Sequence, residues 1–144
     1  MNIALREKEF IDVSKQAIES VKALPSSMGP RVLLASRDRR AYIVSLSQDL
    51  ANASSKVIKA YEDEHRKRIT DAEYSPVGDK VITVSADNQI IIWDREEKTF
   101  QRFSGHNRAI TSVTLNSKNN KIVTGSEDGA FIPLEYSWGE NSGF

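Results

Sequence analysis

The sequence predicts an all-β chain built from about three copies of one four-stranded antiparallel sheet. Three observations carry that expectation. Between residues 65 and 106, short apolar runs rich in β-branched residues alternate with turn-forming residues. The pattern Ser-x-Asp recurs at Ser36-Arg37-Asp38, Ser85-Ala86-Asp87 and Ser126-Glu127-Asp128, with the aspartates 49 and 41 residues apart. A sheet in a repeating array of this kind takes ~40–45 residues. Upstream, Ile18-Glu19-Ser20-Val21, Ile69-Thr70-Asp71-Ala72 and Ile110-Thr111-Ser112-Val113 fall in the same register, and Leu24-Pro25 falls where Ser75-Pro76 falls.

The stretch 65–106 is the clearest copy. Ile69, Ala72 and Tyr74 lead into Ser75-Pro76-Val77-Gly78-Asp79-Lys80. Val81, Ile82 and Val84 lead into Ala86-Asp87-Asn88, and Ile90, Ile91, Ile92 and Trp93 lead into Asp94-Arg95-Glu96-Glu97-Lys98. The intervening Pro, Gly, Asp and Asn residues suit tight turns. Thr99, Phe100 and Phe103 supply a fourth run that ends at Gly105-His106.

The other copies are weaker. Residues 1–13 form an N-terminal segment in which Phe10-Ile11-Asp12-Val13 aligns loosely with Phe100-Gln101-Arg102-Phe103, as an outer strand of a neighbouring sheet would. A helix competes over residues 4–24, because Phe10, Val13, Ala17, Val21 and Leu24 share one helical face. Strands are favoured because the repeat register explains Pro25. Repeat one, 14–64, is degenerate: Val32-Leu33-Leu34-Ala35, Ala41-Tyr42-Ile43-Val44 and the outer run Val57, Ile58 and Tyr61 are its strands, with a polar connection over 47–55. Repeat three, 107–144, has Ile122-Val123-Thr124-Gly125 and Ala130-Phe131-Ile132-Pro133-Leu134, and then no fourth strand.

Composition narrows the function classes. The 144 residues suffice for one domain with a core. Zero formal net charge gives no global bias toward nucleic acid or anionic membrane, and the absence of cysteine excludes disulfides and Cys-containing zinc sites. The first residues lack the long apolar core of a signal peptide, and no run approaches the roughly 20 apolar residues of a membrane helix. The expectation is a soluble intracellular protein, cytoplasmic or nuclear, with no membrane partner.

Residues His65-Arg66-Lys67-Arg68-Ile69, Val81 to Asn88, Ile90-Ile91-Ile92-Trp93-Asp94 and Ser104-Gly105-His106 resemble one complete unit of the WD-repeat family. The resemblance covers about residues 14–137 and weakens outside repeat two. It implies propeller-type blades and a non-catalytic protein-interaction scaffold, with no cofactor. It also implies a structural relay in which His65 pairs with Asp87, Thr83 and Trp93, and His106 pairs with Asp128 and Thr124. The chemistry is sound on its own terms, since a buried carboxylate is costly unless imidazole, hydroxyl or indole donors reach it. Repeat three has Leu134 in place of Trp93, which shortens its relay. Repeat one has Ser14, Leu34 and Val44 at the matching places and keeps only Asp38, so its relay is expected to be missing and its blade the least rigid. Read as catalytic residues, the same side chains lack a nucleophile elbow or oxyanion pattern. Two distant histidines without clustered carboxylates make no metal site.

Closed propellers hold roughly four to eight blades, so about three make an incomplete ring as a single chain. Two copies could assemble one ring, another protein could donate blades, or the sequence could be part of a longer chain. A homo-oligomer or hetero-complex with other proteins is the favoured expectation. Trp138 is one residue that could anchor a neighbour.

A meander places the turn after each second strand and the link between blades on one rim. Arg37, Arg39 and Arg40 fall in the first class, and Arg66, Lys67 and Arg68 in the second, with Lys15 and Arg108 on the same rim. The plain reading is a solvated charged edge balanced by Glu62, Asp63 and Glu64. The functional reading is a binding rim for an acidic or phosphorylated ligand. Nucleic-acid backbone is the competing partner, although no aromatic residues interleave the cluster.

Overall fold

A computed structural model describes residues 10–47, 55–116 and 120–136. Those residues hold three antiparallel sheets in which consecutive strands are neighbours. The first contains β1 (Ile18–Ala23), β2 (Arg31–Ser36), β3 (Ala41–Ser45) and β4 (Lys56–Tyr61). The second contains β5 (Ile69–Ser75), β6 (Lys80–Ser85), β7 (Gln89–Asp94) and β8 (Phe100–Ser104). The third contains β9 (Ile110–Asn116), β10 (Lys121–Ser126) and β11 (Phe131–Glu135). Propeller-type blades are therefore present, and the sheets do not close into a ring. Among the described residues no α-helix occurs, and no helix is long and apolar enough to cross a membrane.

The competing helix does not form over the described part of 4–24: Val21 stands opposite Leu34 in a strand pair, and a single 3-10 turn, Ser26–Met28, follows Pro25. Proline fixes its own φ and biases the preceding residue toward extended backbone, which suits a strand end at Leu24. Residues 10–13 are not part of a strand among the described residues. Instead Val13 packs with Val32, Leu46 and Ala60 around buried Leu34, Tyr42 and Val44. The middle of the first sheet's outer face is thus covered by the chain's own residues, with Val44 1% exposed, while Val21 and Val57 on the same face are 60% and 42% exposed.

Each sheet repeats the same irregularity. The β1–β2 register skips Glu19, the β5–β6 register skips Thr70, and the β9–β10 register skips Thr111. A bulge adds one unpaired residue and increases local twist. Repeated at one place in the innermost strand, it turns each sheet alike.

The core lies between sheets. Leu33, Ala35, Ile43 and Tyr61 of the first sheet meet Ile69, Ala72, Val81, Ile91 and Trp93 of the second. On its opposite face the second sheet presents Ile82, Val84, Ile90 and Ile92 to Ile110, Val113 and Ile122 of the third. Strand alternation delivers this: β7 has isoleucines on both faces because both faces are covered. Each fully buried aliphatic side chain contributes about 1.5–3 kcal/mol. The far face of the third sheet is different. There Phe131 is 72% exposed, whereas Ala41 and Ile90, at the matching strand position, are 0% and 3% exposed.

Pro133 stands opposite Val123 on β11, whose other side has no strand among the described residues. That position tolerates a residue without an N–H. Trp138 lies outside the described residues.

Candidate functional site

The turn after each second strand has one construction. The serine hydroxyl accepts the aspartate N–H: Asp38 to Ser36 at 3.2 Å, Asp87 to Ser85 at 3.0 Å and Asp128 to Ser126 at 3.1 Å. The aspartate Oδ1 then accepts the N–H two residues on, from Arg40 at 3.0 Å, Gln89 at 2.9 Å and Ala130 at 2.8 Å. Between them stands a residue in the left-handed region: Arg39 (φ 73), Asn88 (φ 70) and Gly129 (φ 83). Asn and Gly tolerate that conformation, and arginine does so at a cost. Ser-x-Asp is therefore the visible part of a five-residue turn.

Above the turn in the second sheet, His65 Nδ1 is 2.9 Å from Asp87 Oδ2, and His65 Nε2 is 2.7 Å from Thr83 Oγ1. The Trp93 indole N–H donates to Thr83 Oγ1 at 2.9 Å. One assignment satisfies every group: indole to threonine oxygen, threonine hydroxyl to Nε2, and Nδ1–H to carboxylate. Burial alone would raise the Asp87 carboxyl. The His65 hydrogen bond and the Arg66 and Gln89 N–H groups outweigh it and hold the carboxyl below its ordinary value. Thr83 is fully buried and its hydroxyl is shared between two side chains, so no substrate atom reaches it as a nucleophile.

The third sheet repeats the arrangement without the indole. His106 Nδ1 is 3.0 Å from Asp128 Oδ2 and His106 Nε2 is 2.8 Å from Thr124 Oγ1. In the first sheet no histidine is present, yet Asp38 is not left alone. The Tyr42 hydroxyl donates to Asp38 Oδ2. Burial would raise this carboxyl too, but the hydroxyls of Tyr42, Ser14 and Ser36 and the Arg40 N–H hold it down. Tyr42 is buried and also carries this bond. Its signal is positional: it lies four residues beyond Asp38, on the strand that leaves the turn. No buried side-chain polar atom among the described residues lacks a partner.

A second polar centre ties the sheets together at their innermost strands. Asp71 on β5 accepts from Ser20 Oγ at 2.7 Å and Lys22 Nζ at 3.1 Å on β1, and from the Val113 N–H at 3.0 Å on β9. Burial would lower the Lys22 ammonium, but Asp71 and Glu73 hold it above its ordinary value. Sequence reading passed over Asp71, although it aligns with Ser20 and Ser112, the other polar residues beside the repeated bulge.

The basic residues at the rim divide into two groups. Arg39, Arg40 and Arg66 line one cleft of about 380 Å³ between the first two sheets, together with Asp38, Asp63, Glu64, His65 and Arg102. Arg37, Lys67 and Arg68 do not line it. Arg37 pairs with Glu19 at 3.0 Å, Arg40 with Glu62 at 2.9 Å and Arg102 with Glu64 at 2.8 Å. Arg39 and Arg66 form no ion pair with another described residue. The opposite wall also holds a left-handed residue, Asp63 (φ 71). Among the described residues no His, Asp and Glu cluster is placed to hold a metal ion.

The family "WD domain, G-beta repeat" matches residues 55–94 and 97–131. The chain belongs to the WD-repeat family. The first match runs from β4 through β7, and the second takes in β8, β9, β10 and the first residue of β11. Each WD-repeat unit therefore straddles two sheets. Over 120 residues, 83% of its length, the chain is 32% identical to the guanine nucleotide-binding protein subunit beta-like protein of Encephalitozoon cuniculi, covering 36% of that protein. It is 30% identical over 102 residues to the 66 kDa stress protein of Physarum polycephalum, covering 16% of it. A third relative, the probable coatomer subunit beta' of Schizosaccharomyces pombe, is 37% identical over 68 residues and is covered over 8% of its length. The chain thus spans little more than a third, or less, of the length of these relatives.

Proposed function

We propose that this chain is a non-catalytic protein-interaction scaffold acting as one component of a larger assembly. The observation that carries the reading is the bare far face of the third sheet. Phe131 stands open where its counterparts in the other two sheets are buried by the next sheet. A sheet face of this kind is stabilised when further structure leans on it. That structure is supplied by another protein, a second copy or further chain. Relatives include a G-protein beta-like protein and a probable coatomer subunit, which suits a role among protein partners.

The test is capture with the tagged chain followed by mass spectrometry, with light scattering on the purified chain. Capture of a defined set of proteins, or a species larger than a monomer, supports the reading. A stable folded monomer that captures nothing counts against it.

A second reading concerns the rim. Arg39 and Arg66 line a cleft without an internal ion-pair partner, and Arg39 occupies a left-handed position filled by Asn88 and Gly129 in the other sheets. Strain held beside a cleft is a feature of ligand clamps. We propose that this rim binds a phosphate-bearing or acidic group on a partner, either a phosphorylated polypeptide or a nucleic-acid backbone. Charge reversal at Arg39, Arg40, Arg66 and Arg68 should abolish capture and leave the fold intact. A steep loss of binding with salt would favour nucleic acid. Unchanged capture would remove the rim from the function.

A further inference from the structure

The two internal junctions between sheets use the same positions. Ile69 and Ala72 on β5 are buried against the first sheet, and Ile110 and Val113 on β9 are buried against the second. Across the junction stands Ala41 in the first case and Ile90 in the second. Polar groups fix the alignment at the second junction. The Thr70 hydroxyl lies within hydrogen-bond reach of the Val84 carbonyl in its own sheet and of the Ile110 carbonyl in the next. Beside it, Asp71 accepts the Val113 N–H at 3.0 Å.

The chain carries a spare example of each half of that junction. On the first sheet Ile18 and Val21 hold the places of Ile110 and Val113, yet they are 41% and 60% exposed where those are buried. On the third sheet Phe131 holds the place of Ile90, and Thr111 and Ser112 hold those of Thr70 and Asp71; all three are exposed. Thr111 reaches the Gly125 carbonyl of its own sheet, as Thr70 reaches Val84, with no further sheet beyond it among the described residues. The edge of the third sheet is a poorer seat than its face. Pro133 stands at the position of Ile92, which pairs with Gln101 on β8. The Asp94 N–H donates to the Thr99 carbonyl, and ladder bonds alternate along an antiparallel pair, so the Ile92 N–H points toward β8 as well. Proline has no N–H to offer a strand added there.

We propose that the third sheet of one copy packs face to face on the first sheet of a second copy, and that two chains close on each other through two identical junctions of this kind. Phe131 of one copy lies over Ile18 and Val21 of the other. The Thr111 hydroxyl donates to the Ile18 carbonyl, and the Ser112 hydroxyl accepts the Val21 N–H. Val13 and Leu46, half-buried beside Leu34 and Tyr42, extend the apolar seat. The repeat selects this occupant. A first sheet presents, at the same register positions, the apolar and backbone groups that the second sheet already engages on the third. Head-to-tail contacts either close or grow without end, and six sheets fall within the roughly four to eight of a closed ring. The inference rests on the reading that further structure leans on the third sheet, and it names that structure.

The test is sedimentation equilibrium of the full chain over a range of concentrations, with two charge variants. The 16.1 kDa chain should reach twice its mass and stop there. Phe131→Glu and Val21→Glu should each weaken self-association by about tenfold or more. Both residues are exposed in the single chain, so its fold should survive, and a β-sheet circular dichroism spectrum checks this. Mixing the two variants decides the geometry. One junction of a mixed pair carries both changes and the other carries neither, so the mixture should regain association that each variant alone has lost. A monomer at every concentration, a pair indifferent to both variants, loss with Phe131→Glu alone, no recovery on mixing, or growth past two copies would each overturn the inference. A monomer that still captures other proteins would sink self-pairing and leave the scaffold reading standing. A closed pair that captures nothing would keep the pairing and leave no evidence of other protein partners.

Discussion

Asp71 on β5 accepts the backbone N–H of Val113 on β9 at 3.0 Å, so one carboxylate of the second sheet holds an amide of the third. Its other oxygen takes Ser20 and Lys22 from the first sheet. Three sheets that share no backbone ladder are thereby joined through a single side chain. Asp71→Ala leaves the Val113 N–H unsatisfied and removes one of the two carboxylate partners of Lys22. The expected loss is about 2–3 kcal/mol of stability in urea unfolding. Asp71→Asn, which keeps an acceptor, should lose less. Equal losses would show that the bond to Val113 contributes nothing.

The two histidine relays differ by one donor, which gives a paired comparison. Thr83→Val strands both the Trp93 indole N–H and His65 Nε2, whereas Thr124→Val strands only His106 Nε2. Thr83→Val should cost about 1 kcal/mol more. Leu134→Trp, at the position of Trp93, should narrow that gap if the indole reaches Thr124. Denaturant midpoints of the four proteins check the ordering, and an equal cost for the two threonine variants would refute it.

Arg39 sits at φ 73 where the other sheets place Asn88 and Gly129. Arg39→Asn should stabilise the chain by about 1 kcal/mol. For a chain of this length that raises the melting temperature by about 2–4 °C. If the rim reading holds, the same variant loses affinity for a phosphate-bearing ligand. A gain in stability with unchanged binding would leave the strain without a function.

The carboxyls of Asp38, Asp79 and Asp87 are held below their ordinary value in the folded chain, because hydrogen bonds outweigh the burial that would raise them. A folded carboxyl that releases its proton more readily than the unfolded one stabilises the fold above the unfolded value, about 3.9. That stabilisation is lost as pH falls through the lower folded value. Urea midpoints should therefore drop below about pH 4. Asp87→Asn should make the drop shallower, and an unaltered slope would exclude Asp87 from the linkage.

The second sheet is legible in sequence because every layer agrees: isoleucines on both faces, Asp87-Asn88 at the turn, and Trp93 closing a polar chain. The first sheet is legible only through its register, since Leu34 and Val44 stand where hydrogen-bonding residues stand elsewhere. The Tyr42 bond to Asp38 is hidden because a tyrosine between apolar residues reads as packing. Asp71 is hidden for the opposite reason. On a strand with one polar face it reads as solvent-facing, and only the approach of β1 and β9 gives it partners. The rim arginines are legible as a set, but which of them are neutralised depends on Glu19 and Glu62, whose nearness is tertiary.

Homology boundaries and hydrogen-bond boundaries do not coincide in this chain. A tandem copy of residues 55–94 would lend its opening strand to the sheet before it and its remaining three strands to the sheet after it. Gene duplication in that frame interlocks old and new protein like links of a chain, and lengthens the array without leaving a raw edge at the joint. The offset is thus a rule of growth as well as a clasp.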